Sequence, residues 1–284
     1  MRQVAPLLVF LAASILAPRP CEAAPSTGKR ALMRIAYPGW NGRDPWLMQV
    51  PSDDETPVPT WIAATPALVV QLDPSHLVLL VTGSPTDETG HDTAPHVASG
   101  HLGAVWFGHE RGGWAVSHRR DDLLWSGSFG ELGPVAPFDL GRGHRAVSVR
   151  DLDCWMGNCR TQLDIVEFDV DGATRPFPST RLASFRVEPN DECAPVLHVL
   201  RGAKRAIPDE LDENDCFNVA ATWRLHARAG AQRPDIVLHF RGHELARDAA
   251  TQALSVKNVD ETQVFRYQDG RYAPATGRNP TRDP

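Results

Sequence analysis

Short apolar runs separated by glycine-containing turns recur between residues 101 and 168, and no other feature of the sequence constrains the fold as strongly. Residues 102–107 form one apolar run, and residues 114–118 form the next after Gly112-Gly113, a spacing typical of a β-hairpin. The alternation continues to Phe168. We therefore predict a mainly β protein, in which antiparallel hairpins form a β-sandwich or a partial propeller-like assembly with at most one or two short helices.

The second half of the chain carries the same kind of pattern. Residues 217–226 alternate apolar and polar side chains, which predicts a strand with one face in water. Residues 235–240 follow a polar loop and are expected to form a hairpin with that strand. A last hairpin is predicted around the turn Gln268-Asp269-Gly270.

Three further segments complete the secondary-structure prediction. Residues 25–59 are rich in Pro, Gly and Asp, which favours irregular coil or short edge strands over helix. Residues 196–200 are apolar and predict a short strand, whereas residues 243–253 are the one stretch with a weakly helical pattern. The polar loop at residues 84–101 is too long for an ordinary hairpin turn.

The N-terminus has the composition of a secretory signal peptide, with Arg2 followed by an apolar stretch too short to span a bilayer. We predict cleavage after Ala23, although a lipidated Cys21 is a weaker alternative because Pro18-Arg19-Pro20 precedes it. Residues 1–23 are therefore assigned to the signal peptide, residues 24–274 to a single β-rich domain and residues 275–284 to a polar tail. An alternative division gives two subdomains that meet near residues 180–190.

Four cysteines follow the predicted cleavage site, and an even number suits an oxidising compartment. Three pairings are possible; we favour Cys154 with Cys159 and Cys193 with Cys216, because each pair brackets one loop. Four thiolates could instead bind zinc, but their spacing contains no Cys-x-x-Cys motif. We predict two disulfide bonds and an exported protein, located in the periplasm or outside the cell.

The charge balance excludes some partners. The formal net charge is −6, and the basic pair Arg119-Arg120 is followed directly by Asp121-Asp122. Binding to nucleic acid needs clustered Lys and Arg, so we predict no nucleic-acid partner. No segment after the signal peptide has the ~18 apolar residues of a membrane-spanning helix, so no transmembrane segment is expected in the mature chain. No cofactor is predicted.

Candidate functional residues come from two places. The loop at residues 84–101 contains His91, His96 and His101, which could bind a metal ion if an irregular loop brought them together; the alternative is three solvated histidines. Trp40 and Trp46 could line an aromatic sugar-binding surface, although large aromatic side chains more often anchor a coil onto the core.

No catalytic motif is present. The segment 127–130 lacks the Gly-x-Ser-x-Gly spacing of a nucleophile elbow, and neither a phosphate-binding glycine loop nor His-Glu-x-x-His occurs. We therefore expect an exported, non-catalytic protein that binds a protein or glycan partner at the cell envelope. The alternative is a metal-assisted hydrolase that uses the histidine-containing loop, and a purely structural envelope component is a third hypothesis.

The triplet Asp-Ile-Val occurs twice, at residues 164–166 and 235–237, each time after a strand and a polar loop. With Asp151-Leu-Asp153 ahead of the first copy, this pattern resembles the propeller repeats of integrin α-chains, in which a strand, an acidic calcium loop and an Asp-Leu/Ile-Val strand recur. The chain departs from that family where Cys154 to Cys159 replace the acidic loop. The resemblance implies that the cysteine pair takes the place of calcium. The whole chain also resembles uncharacterised exported bacterial proteins, which implies no activity.

Overall fold

The computed structural model describes residues 28–51, 59–155, 157–186, 193–200 and 216–281, with the single positions 202, 207 and 211. The predicted signal peptide lies outside these residues. Strands make up 63% of the residues that the structure describes and helices 6%, which confirms the mainly β class. The elements in chain order are α1 (Lys29–Ala36), β1 (Trp46–Val50), β2 (Thr60–Asp73), β3 (His76–Thr86), β4 (Gly100–Glu110), β5 (Gly113–Ser126), β6 (Val135–Gly141), β7 (His144–Trp155), β8 (Asn158–Phe168), β9 (Thr174–Pro176), β10 (Thr180–Arg186), α2 (Ala194–Leu200), β11 (Asn218–His226), β12 (Asp235–Arg247), β13 (Leu254–Gln268) and β14 (Arg271–Gly277).

These strands form two antiparallel sheets. The first has five strands in the order β1-β2-β3-β4-β5. The second has nine, in the order β14-β13-β12-β11-β10-β8-β7-β6, with β9 paired to β8. The chain passes from the first sheet to the second through residues 127–134, which we name the crossing segment. Residues 180–186, close to the predicted subdomain boundary, form β10 inside the second sheet.

The two sheets pack face to face through an apolar layer. On β3, Val78 and Leu80 point toward the nine-stranded sheet, where Val149 and Phe168 belong to the same buried cluster. The alternate residues of β3 point the other way, into a second cluster that includes Leu32 and Met33 of α1. The continuous apolar run at residues 77–81 is explained by this arrangement, because β3 is covered on both faces.

The nine-stranded sheet curls into a half-barrel. Phe138 on β6 contacts Trp223 on β11 edge to face, with ring centroids 5.3 Å apart, although β7, β8 and β10 lie between those strands. Only a strongly curled sheet brings such distant strands together. The concave face buries a core that includes Ile165, Leu238 and Phe265.

Three outer strands, β5, β6 and β14, are poorly suited to pairing with another chain. Pro137 lies on the outer strand β6, and Pro274 lies on β14 at the opposite edge. Residues 118–122 of the outer strand β5 are all His, Arg or Asp. Proline and charge on edge strands oppose strand addition, so these three strands are poor sites for pairing with a partner.

Two hairpins predicted in the second half are confirmed: β11 pairs with β12, and β13 pairs with β14.

The two Asp-Ile-Val triplets lie on β8 and β12 of one sheet, where Asp164 and Asp235 are both buried. The propeller resemblance stays a prediction. The first residues of the predicted polar tail extend β14 to Gly277.

Three local predictions were wrong. Residues 29–36 form α1, not coil, because Leu32, Met33 and Ala36 share a face that packs on the first sheet. Residues 196–200 belong to helix α2 and not to a strand. Residues 243–253 are not helical: β12 continues to Arg247 along β13, and a turn follows in which Asp248 accepts backbone hydrogen bonds from Ala250 and Thr251.

Both favoured cysteine pairs form disulfides in the structure. Cys154 and Cys159 face each other across the β7–β8 hairpin, with Cα atoms 4.0 Å apart. Cys193 pairs with Cys216 at a Cα distance of 5.3 Å, and Cys216 packs in a small apolar cluster with Val196. Within the described residues, no helix has the length and apolar character needed to cross a bilayer.

The two disulfides should contribute differently to stability. Cys193–Cys216 closes a separation of 23 residues and Cys154–Cys159 one of 5 residues. By the chain-entropy model, replacing both cysteines by Ala should lower the free energy of unfolding by about 3 kcal/mol for the long loop and about 2 kcal/mol for the short one. Urea denaturation of the two double variants measures this difference. The reverse order would contradict the loop-closure explanation.

Candidate functional site

A cleft of about 890 Å³ opens on the concave face of the half-barrel, at the end formed by the β7–β8 hairpin. Its walls come from the crossing segment, from β6, β7 and β8, and from Trp223 on β11. Concave sites at the mouth of a β-barrel are common positions for ligands. This cleft is therefore the candidate functional site.

The crossing segment lies against the sheets so closely that glycine is needed at two positions. Gly127 has a φ of +89°, and a Cβ atom there would lie 2.0 Å from the carbonyl oxygen of Glu131. A Cβ atom on Gly133 would lie 2.1 Å from the carbonyl oxygen of Arg150 on β7. A larger residue at Gly133 would push the segment away from β7, and one at Gly127 would disrupt the turn within the segment, so these glycines fix one wall of the cleft.

Phe129 projects from this wall. Its φ is +54°, a left-handed conformation that is unusual for a bulky residue, and 58% of the residue is exposed. Two backbone hydrogen bonds hold the turn against the loop that precedes β4: Phe129 N–H donates to His96 O (3.0 Å), and Gly130 N–H donates to Ala98 O (2.8 Å). The His96 ring packs edge-on against Phe129 at 4.5 Å. The surrounding structure thus holds a large aromatic side chain in solvent.

Two more apolar side chains are exposed nearby. Val97 follows His96 and is 79% exposed, and Leu152 on β7 lines the cleft and is 56% exposed. Of the six large apolar residues that the described part of the chain exposes, Phe129 and Leu152 line this cleft, and Val97 lies between His96 and Ala98, whose carbonyl oxygens bind the crossing segment. We name Val97, Phe129 and Leu152 the apolar rim.

The disulfide hairpin supports this rim. Cys154 lines the cleft, and its carbonyl oxygen lies 2.9 Å from His96 Nε2. His96 also lies 3.6 Å from a carboxylate oxygen of Asp153. The loop between β3 and β4, the crossing segment and the β7–β8 hairpin are therefore tied together at the cleft; the strands shorten the predicted loop at 84–101 to residues 87–99.

Two carboxyl groups meet where the crossing segment begins. Ser126 Oγ lies 3.2 Å from Asp151 Oδ2 and 2.9 Å from Asp164 Oδ2, so its single proton can serve only one of them at a time. Asp151 also accepts hydrogen bonds from the backbone N–H groups of Gly127 (2.9 Å) and Gln162 (3.1 Å). Burial, with the nearby charge of Asp164, raises the pKa of Asp151 above its usual value.

The three predicted metal ligands have separate partners. The exposed His91 contacts Thr89 and Asp87 of its own turn, and His96 contacts the disulfide hairpin as described above. His101 is fully buried beside Trp125, its Nε2 contacts the carbonyl oxygen of Asp121, and burial lowers its pKa. These histidines do not form a three-ligand group among the described residues, so the loop offers no geometric support for the hydrolase alternative.

Both tryptophans of the predicted aromatic surface belong to, or pack against, a buried apolar cluster. Trp40 is only 7% exposed and its Nε1–H donates to Asp44 O (2.6 Å), so it anchors the N-terminal coil in the core. Trp46 is partly buried against Tyr37, with ring centroids 5.8 Å apart. This arrangement favours the anchoring interpretation of both tryptophans over a sugar-binding surface.

One group of residues in the described chain does have metal-ligand spacing: His144, Glu167 and Asp169 offer ligand atoms within 4.8 Å of one another. Two guanidinium groups already neutralise it. Arg233 donates to both oxygens of the buried Glu167 (2.5 and 3.1 Å), and Arg175 contacts Asp169. A cation would have to displace these arginines, so we interpret the group as a buried ion-pair network.

No protein-family model, curated protein or solved structure matches the chain. Its function is therefore inferred from the chemistry of the cleft. Sequence reasoning missed the cleft residues Phe129, Arg150 and Leu152, because they lie on segments that only the curled sheet brings together. The one local indication was a phenylalanine placed between glycine and serine residues in a turn, at residues 126–130.

The carboxyl pair generates a pH prediction. Because the folded state raises the pKa of Asp151, the folded protein holds that proton more tightly than the unfolded chain does. The contribution of Asp151 to the free energy of unfolding therefore decreases as the pH rises above 3.8, the ordinary pKa of an aspartate side chain. Asp164→Asn removes one of the two like charges. The free energy of unfolding of this variant minus that of the wild type should therefore be larger at about pH 7.5 than at about pH 4.5.

Urea unfolding at the two pH values measures this change. Asp269→Asn is the matched control, because Asp269 is exposed and makes no ion pair with a described residue. The control should follow the wild type at both pH values. If the free energy of unfolding of Asp164→Asn also changes with pH in the same way as that of the wild type does, the two carboxyl groups do not repel each other as the geometry indicates.

Proposed function

We propose that this protein is an exported, non-catalytic binding protein of the cell envelope, and that its ligand or partner is held in the half-barrel cleft and against the apolar rim. The observation that carries this proposal is that Phe129 and Leu152, each more than half exposed, line the same cleft, with the exposed Val97 in the loop that binds the Phe129 turn. Scattered apolar side chains are normal on protein surfaces, whereas a group beside a concave pocket is typical of a binding site.

The construction of the site supports binding rather than chemistry. Phe129 and Leu152 are held by backbone hydrogen bonds, a disulfide hairpin and closely packed glycines, so little conformational freedom is lost when a ligand arrives. Two buried or half-buried carboxyl groups beside the cleft are held by protein donors: Asp151 by backbone N–H groups and Asp164 by Ser126. Neither of these two is arranged as a free acid or base toward the opening, and the exposed Glu131 is the other carboxyl group of the cleft wall.

The location at the envelope is supported by the signal-peptide composition of the N-terminus and by two disulfide bonds. Protein and glycan partners both stay open as predictions. A rigid apolar rim around a pocket suits either an apolar group of a larger partner or a separate small molecule.

Binding through the rim predicts a measurable effect of its side chains. The neutral fluorescent probe N-phenyl-1-naphthylamine should bind the purified protein in the cleft, since its aromatic rings match the apolar lining. Phe129→Ala should raise the dissociation constant about tenfold, which corresponds to ~1.4 kcal/mol of lost contact. Leu152→Ser should act in the same direction.

Val170→Ser is the matched control, because Val170 is a 45% exposed apolar residue that does not line the cleft. The control should bind the probe like the wild type. Thermal unfolding should show that all three variants remain folded, since none of the substituted residues is buried. Absence of probe binding, or equal effects of Phe129→Ala and Val170→Ser, would contradict the proposed site.

A further inference from the structure

Arg150 occupies a distinctive position in the cleft. Successive residues of a strand point to opposite faces, and Ala146 of β7 packs in the concave core whereas Val147 and Val149 pack against the five-stranded sheet. Arg150 shares the concave face with Ala146 and lines the cleft together with Ser148 and Leu152. It is exposed, so its guanidinium group is accessible from the opening.

Two other arginines near the half-barrel are paired with carboxylates, whereas Arg150 is paired with none among the described residues. Arg145, five residues earlier on β7, pairs with Asp139, and Arg233 pairs with Glu167. Within the part of the chain that the structure describes, Arg150 forms neither an ion pair nor a side-chain hydrogen bond. A guanidinium group at an apolar concave surface, with its donors free, suits an anionic group that arrives with a ligand.

The remaining polar groups of the cleft are compatible with such a ligand. Ser128, Ser148 and Thr161 line it and supply hydroxyl groups. Asp151 turns its oxygens toward Gly127 and Gln162, so its carboxyl group is engaged by the protein. Glu131 is the opposing charge, because it is exposed and also lines the cleft.

From this arrangement we infer that the cleft binds an amphiphilic organic anion, with an apolar body against Phe129, Leu152 and Trp223 and one anionic group at Arg150. The inference rests on the proposed function, since it names the class of ligand for the same cleft. Arg150 supplies the specificity and the apolar lining supplies contact area.

The test uses two probes that differ in one charged group. 8-Anilinonaphthalene-1-sulfonate carries a sulfonate that N-phenyl-1-naphthylamine lacks, and both become fluorescent in apolar surroundings. Arg150→Gln should raise the dissociation constant of the sulfonate probe about tenfold and leave that of the neutral probe within about twofold. Arg150→Lys should retain most of the affinity for the sulfonate probe, because the positive charge is kept.

Two further variants control for charge elsewhere. Arg224→Gln removes an exposed arginine from β11 outside the cleft and should change neither dissociation constant. Glu131→Gln removes the opposing charge and should tighten binding of the sulfonate probe alone by about threefold. Circular dichroism and thermal unfolding of each variant establish that the fold is kept.

The outcomes separate the two proposals. If the neutral probe binds but Arg150→Gln changes both probes equally, or neither, the anionic class is wrong and the binding cleft stands. If neither probe binds the wild-type protein at about micromolar concentrations, the proposed function itself fails. Loss of the sulfonate probe alone in Arg150→Gln, with unchanged binding in Arg224→Gln, supports the inference.

Discussion

The apolar contact between the two sheets is the interaction on which the rest of the structure depends. Trp106 on β4 is 1% exposed in this layer, and its Nε1–H donates to Asp169 O just after β8 (2.8 Å), which joins the sheets at one point. The layer covers the β7 and β8 part of one face of the nine-stranded sheet, and that sheet's other face curls around its own core. The crossing segment must then pass across the end of the half-barrel, where it becomes a wall of the cleft.

Much of the fold follows from the sequence because its strands are marked locally. Alternation predicted β11 and its hairpin partner, and the bracketed loops predicted both disulfides. The short helices were missed for a physical reason: α1 has eight residues and lies among Pro and Gly, so its helical face is defined by packing on the first sheet. The charged end of β12 looked helical because pairing with β13, and not its own pattern, keeps it extended.

The site was much less predictable than the fold. Phe129, Arg150 and Leu152 belong to a turn and a strand whose local patterns suggest nothing beyond surface. Their meeting at one opening depends on the curl of the sheet and on the glycines that seat the crossing segment. Sequence reasoning instead selected histidines and tryptophans by residue type. Of these, His96 lies at the edge of the site as a support for Phe129, while Trp40 is in the core.

The central claim, that the half-barrel mouth is the binding surface, is tested most directly by nuclear magnetic resonance spectra recorded during titration with N-phenyl-1-naphthylamine. The indole N–H resonance of Trp223 and the backbone amides of the crossing segment should shift together, because both line the cleft. The resonances of Trp40 and Trp106 should stay in place, since these side chains are buried elsewhere. Shifts confined to the surroundings of Trp46, or no shifts at saturating probe, would contradict the account.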